Sequence, residues 1–242
     1  MARRATYLHS LSVSDPKQPP VLKLAGAYEF TNNPDVPIPP RKRLAFLAKA
    51  FDLMGYDILH VSEHERAALK KAGVKPRKYW RGADLLESQV LPLKNGVKVG
   101  LIILPPLHTP GKTVPPPVLA QVSQAVLKLR PHTSLVIAMS AWGYFYEQEL
   151  INSSGALPDL VLGSGPGIGL VGTKSTNAKV MWIRPFAQGK SVERIDLFAL
   201  PEHNANFKWT EEQNIRMTLF GLTDQVSDDR HVLSLIQTMG TD

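Results

Sequence analysis

His60, Glu63, His64 and Glu65 form the one dense group of side chains in this sequence that could ligate a metal or move a proton. Imidazoles and carboxylates suit a divalent cation, but a working site needs several convergent ligands and a second shell to orient them. The spacing puts His60 in a strand and Glu63 in the loop beyond it, where the two need not share a face. The other histidines, His9, His108, His132, His203 and His231, are scattered along the chain. There is no cysteine, which excludes disulfides, thiolate metal sites and cysteine nucleophiles together.

A second candidate is the glycine-rich segment from Gly163 to Gly172. Gly167, Gly169 and Gly172 match the G-x-G-x-x-G spacing of a dinucleotide-binding turn. That turn must open a helix, whereas Thr173–Lys179 is polar and Val180 begins another strand. Gly167 to Lys174 imitates a phosphate-binding P-loop, but Thr173 intrudes before the lysine and no helix follows to direct its dipole at a phosphate. Ser164 lies between two glycines without the G-x-S-x-G spacing of a serine hydrolase elbow. The plain reading is a flexible loop whose backbone amides could cradle a small anion. Gly163, Ser164, Gly165 and Gly167, with Glu63 and His64, are therefore the candidate ligand-binding residues.

The charge is lopsided. Residues 1–100 hold 17 of the 28 lysines and arginines against 9 of the 21 acids. The densest patch is Lys70, Lys71, Lys75, Arg77, Lys78 and Arg81, with Tyr79 and Trp80 inside it. Basic residues interleaved with aromatics can grip a polyanion. No helix-turn-helix, finger or RNA-binding signature accompanies them, so a solvated surface is favoured over nucleic-acid binding.

The elements that must position these residues alternate in type. Val21–Ala25 reads as a strand, Arg41–Met54 as an amphipathic helix ended by Gly55, Ile58–Val61 as a strand and Ala67–Ala72 as a short helix. Val97–Leu104 is a buried strand stopped by Pro105 and Pro106. Val118–Leu129 is a helix, Leu135–Met139 a strand, Glu147–Ile151 helical and Leu160–Leu162 a strand. Val180–Ile183 and Arg194–Leu200 read as a late strand pair, antiparallel at one edge. Continuous apolar strands separated by helices indicate an α/β protein with its sheet covered on both faces. With 43% hydrophobic and 20% charged residues the composition is that of a globular chain. No apolar run approaches the ~20 residues that span a bilayer, so no membrane span is expected. No linker divides the chain, and residues 1–242 read as a single domain.

Several phrases, in consistent order over about residues 2–200, resemble the metallophosphoesterase superfamily, specifically its 5′-nucleotidase branch. Phe51–Asp57 followed by Val61-Ser62-Glu63-His64-Glu65 is similar to that branch's MGYDA…GNHE segment. Leu22–Ala27 resembles its LLDAGD strand end, and Gly96–Gly100 its GVKVG strand. Val136–Gly143 resembles IVLSHLG, Leu160–Gly167 resembles LILGGHSH, and Val180–Leu197 the closing GKYLGRLDL strands. The resemblance implies a layered α/β sandwich of mixed sheets flanked by helices, with 201–242 as a C-terminal extension. It also implies two divalent metals at the carboxyl ends of the strands, clamping a phosphate ester and activating water.

Carried over position by position, the implied ligands are missing. The bridging aspartate falls on Ala27, the asparagine of GNHE on Glu63, the histidine of SHLG on Ala141, and the histidines of GHSH on Gly165 and Gly167. The first D-x-H motif has no counterpart, because Arg3–Leu8 resembles the helix that follows it. Only His64 keeps its identity, and in the family that residue contacts the phosphate rather than a metal. Alanine and glycine offer no side-chain donor, so no metal and no catalytic residue are assigned; a divalent ion such as Mn or Zn is the alternative. The expected function is that of a catalytically degenerate metallophosphoesterase or 5′-nucleotidase-like protein, a binding or structural subunit leaning away from enzymatic activity. The alternative is a residually active metal-dependent phosphohydrolase. A protein partner is expected at the strand carboxyl ends, where the Pro- and Gly-rich segments 31–40, 105–117 and 163–177 should gather. The resemblance implies a periplasmic or extracytoplasmic location. Met1–Arg4 is followed by no apolar stretch and shows no export signal, which a chain trimmed from a longer precursor would reconcile.

Overall fold

A computed structural model describes residues 1–11, 18–31, 36–82, 84–107, 113–186, 189–204 and 206–239. In chain order its elements are α1 (Ala2–Ser10), β1 (Leu24–Ala25), α2 (Arg41–Met54), β2 (Ile58–His60), α3 (Glu63–Lys71) and β3 (Trp80–Arg81). Then come β4 (Glu87–Pro92), β5 (Lys98–Ile103), α4 (Pro116–Leu129), β6 (Leu135–Ser140), α5 (Tyr144–Ile151) and β7 (Leu160–Gly163). The chain closes with β8 (Leu170–Lys174), β9 (Met181–Arg184), β10 (Ser191–Leu197), β11 (Ile215–Gly221) and α6 (Arg230–Met239).

The continuous apolar runs build the larger sheet, ordered β4-β5-β6-β7-β9-β8. β5, β6, β7 and β9 are parallel, while β4 and β8 close the two edges antiparallel. Both faces of the central strands are buried, as parallel sheets require. Side chains alternate across a strand, so the paired row Leu101, Ile137, Leu160 and Met181 enters one core with Trp209 and Ile215. The intervening Ile102, Val136, Val161 and Trp182 enter another, against Val122 and Val126 of α4 and Leu150 of α5.

β1, β2 and β3 form a smaller parallel sheet. Its Ile58 joins the core under the larger sheet. Leu59 and Ala25 face the other way, into a third cluster with Leu8 of α1, Phe51 of α2, Leu69 of α3 and Val232 of α6. The layers therefore run helices, small sheet, large sheet, helices. This is the layered α/β sandwich of mixed sheets that the sequence predicts.

Two expectations are corrected. The late strands do not pair with each other: β9 enters the large sheet beside β7, and β10 pairs with β11. Strand partners are chosen by nonlocal packing, which a linear reading cannot see. Helix α3 starts at Glu63 rather than Ala67, because Ser62 and Glu65 form a reciprocal capping box at its first turn. No helix among the described residues is long and apolar enough to cross a membrane.

Candidate functional site

The donor cluster of the sequence is taken apart by the capping box. Glu65 is fully buried, and its carboxylate accepts from Phe30 N at 2.8 Å, Ser62 N at 2.9 Å and Ser62 Oγ at 2.9 Å. It is a structural residue that ties the loop after β1 to the start of α3. His60 lies in buried strand β2, where burial, with Arg66 nearby, lowers its pKa to about 4 and keeps the ring neutral. Glu63 is exposed on the first turn of α3. His64 beside it is half-buried, with Nε2 enclosed and lacking a hydrogen-bond partner. His108 lies outside the described residues, as does part of segments 31–40 and 105–117.

The strand ends of the large sheet meet the loop after β1. Ser164 Oγ donates to Ser140 O at 2.5 Å and accepts from Ala27 N at 3.1 Å. Tyr28 OH donates to Ala141 O at 3.4 Å. Trp142 Nε1 reaches Pro105 O at 2.6 Å, which brings in the loop after β5. The structure thus gathers Ala27, Ala141, Ser164 and Gly165 at one place, while Glu63 and His64 stand on α3. Segment 163–177 does not gather there as a whole. Leu170–Lys174 is strand β8, which carries residues 175–177 to the opposite end of the sheet, where Thr176 N meets Asn152 Oδ1 at 2.9 Å.

Nor is the first part of that segment a flexible loop. Arg184, 2% exposed, and Glu147, fully buried, form an ion pair beneath it. The guanidinium also donates to Ser164 O at 3.3 Å, Gly165 O at 2.9 Å, Pro166 O at 3.1 Å and Ile168 O at 2.9 Å. Glu147 accepts from Ser164 N at 3.3 Å, Gly143 N at 3.2 Å and Trp182 Nε1 at 2.9 Å. With Ser164 N engaged in this way, one of the amides proposed for an anion cradle is already spent. Neither Glu147 nor Arg184 is prominent in the sequence. The available signals are one of the two acids of α5, which follows three aromatic residues, and one arginine closing an apolar strand.

The packing leaves no room for side chains at the glycines. A Cβ on Gly163 would collide with the Glu147 carboxylate. One on Gly165 would sit 2.8 Å from Ala141 O and 2.9 Å from the Tyr28 ring, at a φ of +84°. One on Gly167, at φ +122°, would strike Tyr144 Cβ. Gly165→Ala and Gly167→Ala are each expected to cost about 2–4 kcal/mol, combining left-handed backbone strain with overpacking. For a chain this long that is a fall in melting temperature of roughly 5–10 °C, readable by circular dichroism. A histidine at either position would be worse.

These observations test the metals that the resemblance implies. Ala27, Ala141, Gly165 and Gly167 carry no donor, and the nearest hydroxyls, Ser164 and Tyr28, are committed to backbone partners. Among the described residues no group of three or more His, Asp or Glu is placed to hold a metal ion. The residues present do not fit a two-metal centre.

The basic patch is partly consumed. Arg77 Nε pairs with Asp52 at 2.9 Å and its guanidinium lies 5.7 Å from the Trp80 ring centre. Tyr79 OH also donates to Asp52, at 2.8 Å, and Trp80 packs edge-on against Phe30. The two rings serve the small sheet rather than standing as open stacking platforms.

No protein-family model and no curated protein sequence matches this chain. Solved structures do. Over the whole chain it is similar to a calcineurin-like phosphoesterase, YfkN from Bacillus subtilis, with a TM-score of 0.60, 15% identity and 88% of that chain covered. Over 99% of its length it is similar to the 5′-nucleotidase from Candida albicans SC5314, with a TM-score of 0.62 and 10% identity. It spans 52% of that second chain. At these identities the likeness is one of fold: the architecture is metallophosphoesterase-like and 5′-nucleotidase-like.

Proposed function

We propose that this chain is a non-catalytic protein on a metallophosphoesterase-like fold, acting as one domain and as a binding or structural subunit. The observation that carries the reading is the state of the strand carboxyl ends. Where the resemblance calls for Asp and His ligands, the chain has Ala27, Ala141, Gly165 and Gly167, packed against Tyr28, Ser164 and Tyr144. In-line phosphoryl chemistry on this fold draws on two metals that clamp the attacking and leaving oxygens, and these residues offer nothing to hold them.

A protein partner suits the same surface. Phe145, at the start of α5, is 77% exposed and Ile168, in the loop after β7, is 62% exposed. Both sit beside backbone that Arg184 and Glu147 hold rigid, and a preformed apolar surface binds with little ordering cost.

The test is elemental analysis of protein purified without chelator, followed by assay of p-nitrophenyl phosphate and AMP hydrolysis with added Mn²⁺. We expect far less than one metal per chain and no hydrolysis above buffer. Two metals per chain with robust turnover would overturn the proposal and establish a phosphohydrolase with unorthodox ligands.

A further inference from the structure

The amino ends of the large sheet, opposite the surface just described, border a cleft of about 260 Å³ between the end of α4, the turns entering β7 and β9, and Pro201, His203, Asn204 and Phe207. Its polar wall includes Arg130, Asp159, Lys179 and His203, and Leu157 and Phe207 contribute to its apolar wall. None of these residues takes part in the carboxyl-end site.

Asp159 is buried and organises the others. Its Oδ2 accepts from Val136 N at 2.7 Å and lies 3.1 Å from His203 Nε2, while Oδ1 faces Arg130 Nη2 at 3.5 Å. A carboxylate only accepts, so His203 carries its proton on Nε2 and presents Nδ1 as its remaining polar atom. Arg130 Nη2 is also pinned to Leu157 O at 2.7 Å, and its Nε is enclosed without a hydrogen-bond partner. Lys179 Nζ stands at the rim, 3.4 Å from Asn204 O. His203 holds a left-handed backbone, φ +54°, which a β-substituted residue adopts only when its surroundings require it. Such strain, an imidazole oriented by a buried acid and an orphaned guanidinium nitrogen come together in a cavity.

The charge balance selects the ligand. Among the described residues Asp159 is the only acid lining the cleft, against the two permanent cations Arg130 and Lys179. One positive charge is left over, which matches a monoanion. The volume equals that of roughly nine water molecules in the liquid, so the ligand has on the order of ten non-hydrogen atoms. Small-molecule sites join an apolar body to a few placed polar groups, and this one, just below their usual volume, suits a ligand of that small size. We propose that the cleft binds a small organic monocarboxylate, its head received by Lys179 and Arg130, with the His203 imidazole that Asp159 orients walling the cleft beside it, and its apolar body lying against Leu157 and Phe207. The inference is independent of whether the carboxyl-end surface is catalytic.

Trp209 supplies a reporter, since its ring packs 5.0 Å from that of Phe207 and its Nε1 donates to Asp159 O at 3.0 Å. Phenylacetate would be titrated into the ¹⁵N-labelled full chain, with the indole signals followed by NMR and Trp209 assigned from a Trp209→Phe sample. The expected result is a saturable shift of Trp209 while Trp80, Trp142 and Trp182 stay still. Lys179→Met, on an exposed side chain, is expected to weaken binding at least tenfold with an unchanged urea midpoint. The neutral 2-phenylethanol should bind at least tenfold more weakly than phenylacetate. Absence of saturation, equal binding of 2-phenylethanol, or an unaltered affinity in Lys179→Met would overturn the proposal. Tenfold tighter binding of phenyl phosphate would overturn the assignment to a monoanion.

Discussion

Glu147→Ala is expected to cost about 3–5 kcal/mol, because it strands the Arg184 guanidinium in an interior that no longer balances its charge. Both partners are out of solvent, and the change also releases the N–H groups of Gly143 and Ser164 from their acceptor. Arg184→Ala is expected to cost a similar amount, and with it the four carbonyls of residues 164–168 lose their donors. The paired change Glu147→Leu with Arg184→Met is expected to be milder than either single alanine, since replacing both charges removes the desolvation penalty together with the attraction. Urea denaturation of the wild type and the three variants measures this directly. Single losses under about 1 kcal/mol would show that the loop after β7 is held by something else. If the proposed function is right, the singles should also weaken partner binding, since the exposed Phe145 and Ile168 depend on that loop and on α5 for their position.

The second large effect is a dependence on pH. Glu193, on β10, shares a strand face with Ile195 and Leu197, which pack into the core under the large sheet. Both its carboxylate oxygens are enclosed without a hydrogen-bond partner. Burial alone pushes its pKa up from 4.5 to about 8, with no charged neighbour contributing. The native state therefore keeps a proton that the unfolded chain gives up near pH 4.5. Between the two values the unfolded state binds fewer protons, so stability falls as pH rises through that window. The drop between about pH 5 and pH 8 should be on the order of 2 kcal/mol, after discounting for the side chain's remaining contact with solvent. Glu193→Gln cannot ionise and is expected to flatten this part of the profile. Urea midpoints for both proteins at pH 5, 6.5 and 8 provide the comparison. A wild-type profile that is level or rises over this range would remove Glu193 as an unpaired buried acid.

Some of this molecule is legible from neighbours in the chain. Helix α2 runs over Arg41–Met54 as its apolar spacing requires, because a 3.6-residue period needs only one buried side to be satisfied. The strand at Leu135–Ser140 is equally plain, since a short run of apolar residues has few alternatives to a buried strand. That Ala27, Ala141, Gly165 and Gly167 offer no side-chain donor is equally plain from the sequence, because an absent donor needs no geometry to recognise. The capping box is written locally too, since Ser62 and Glu65 stand three apart, although Glu65 in sequence reads equally well as a metal ligand.

What tertiary structure decided is everything that depends on meeting. Glu147 and Arg184 are 37 residues apart, and nothing near either one announces the other. Asp159 finds His203 across 44 residues, and the cleft exists only because the strand ends and the segment after β10 converge. Glu193 is an ordinary acid in sequence and becomes an unpaired buried one through the face its strand turns inward. Local pattern reports which side of an element avoids water, whereas the energy of a charge depends on which groups fold against it and how much water they leave.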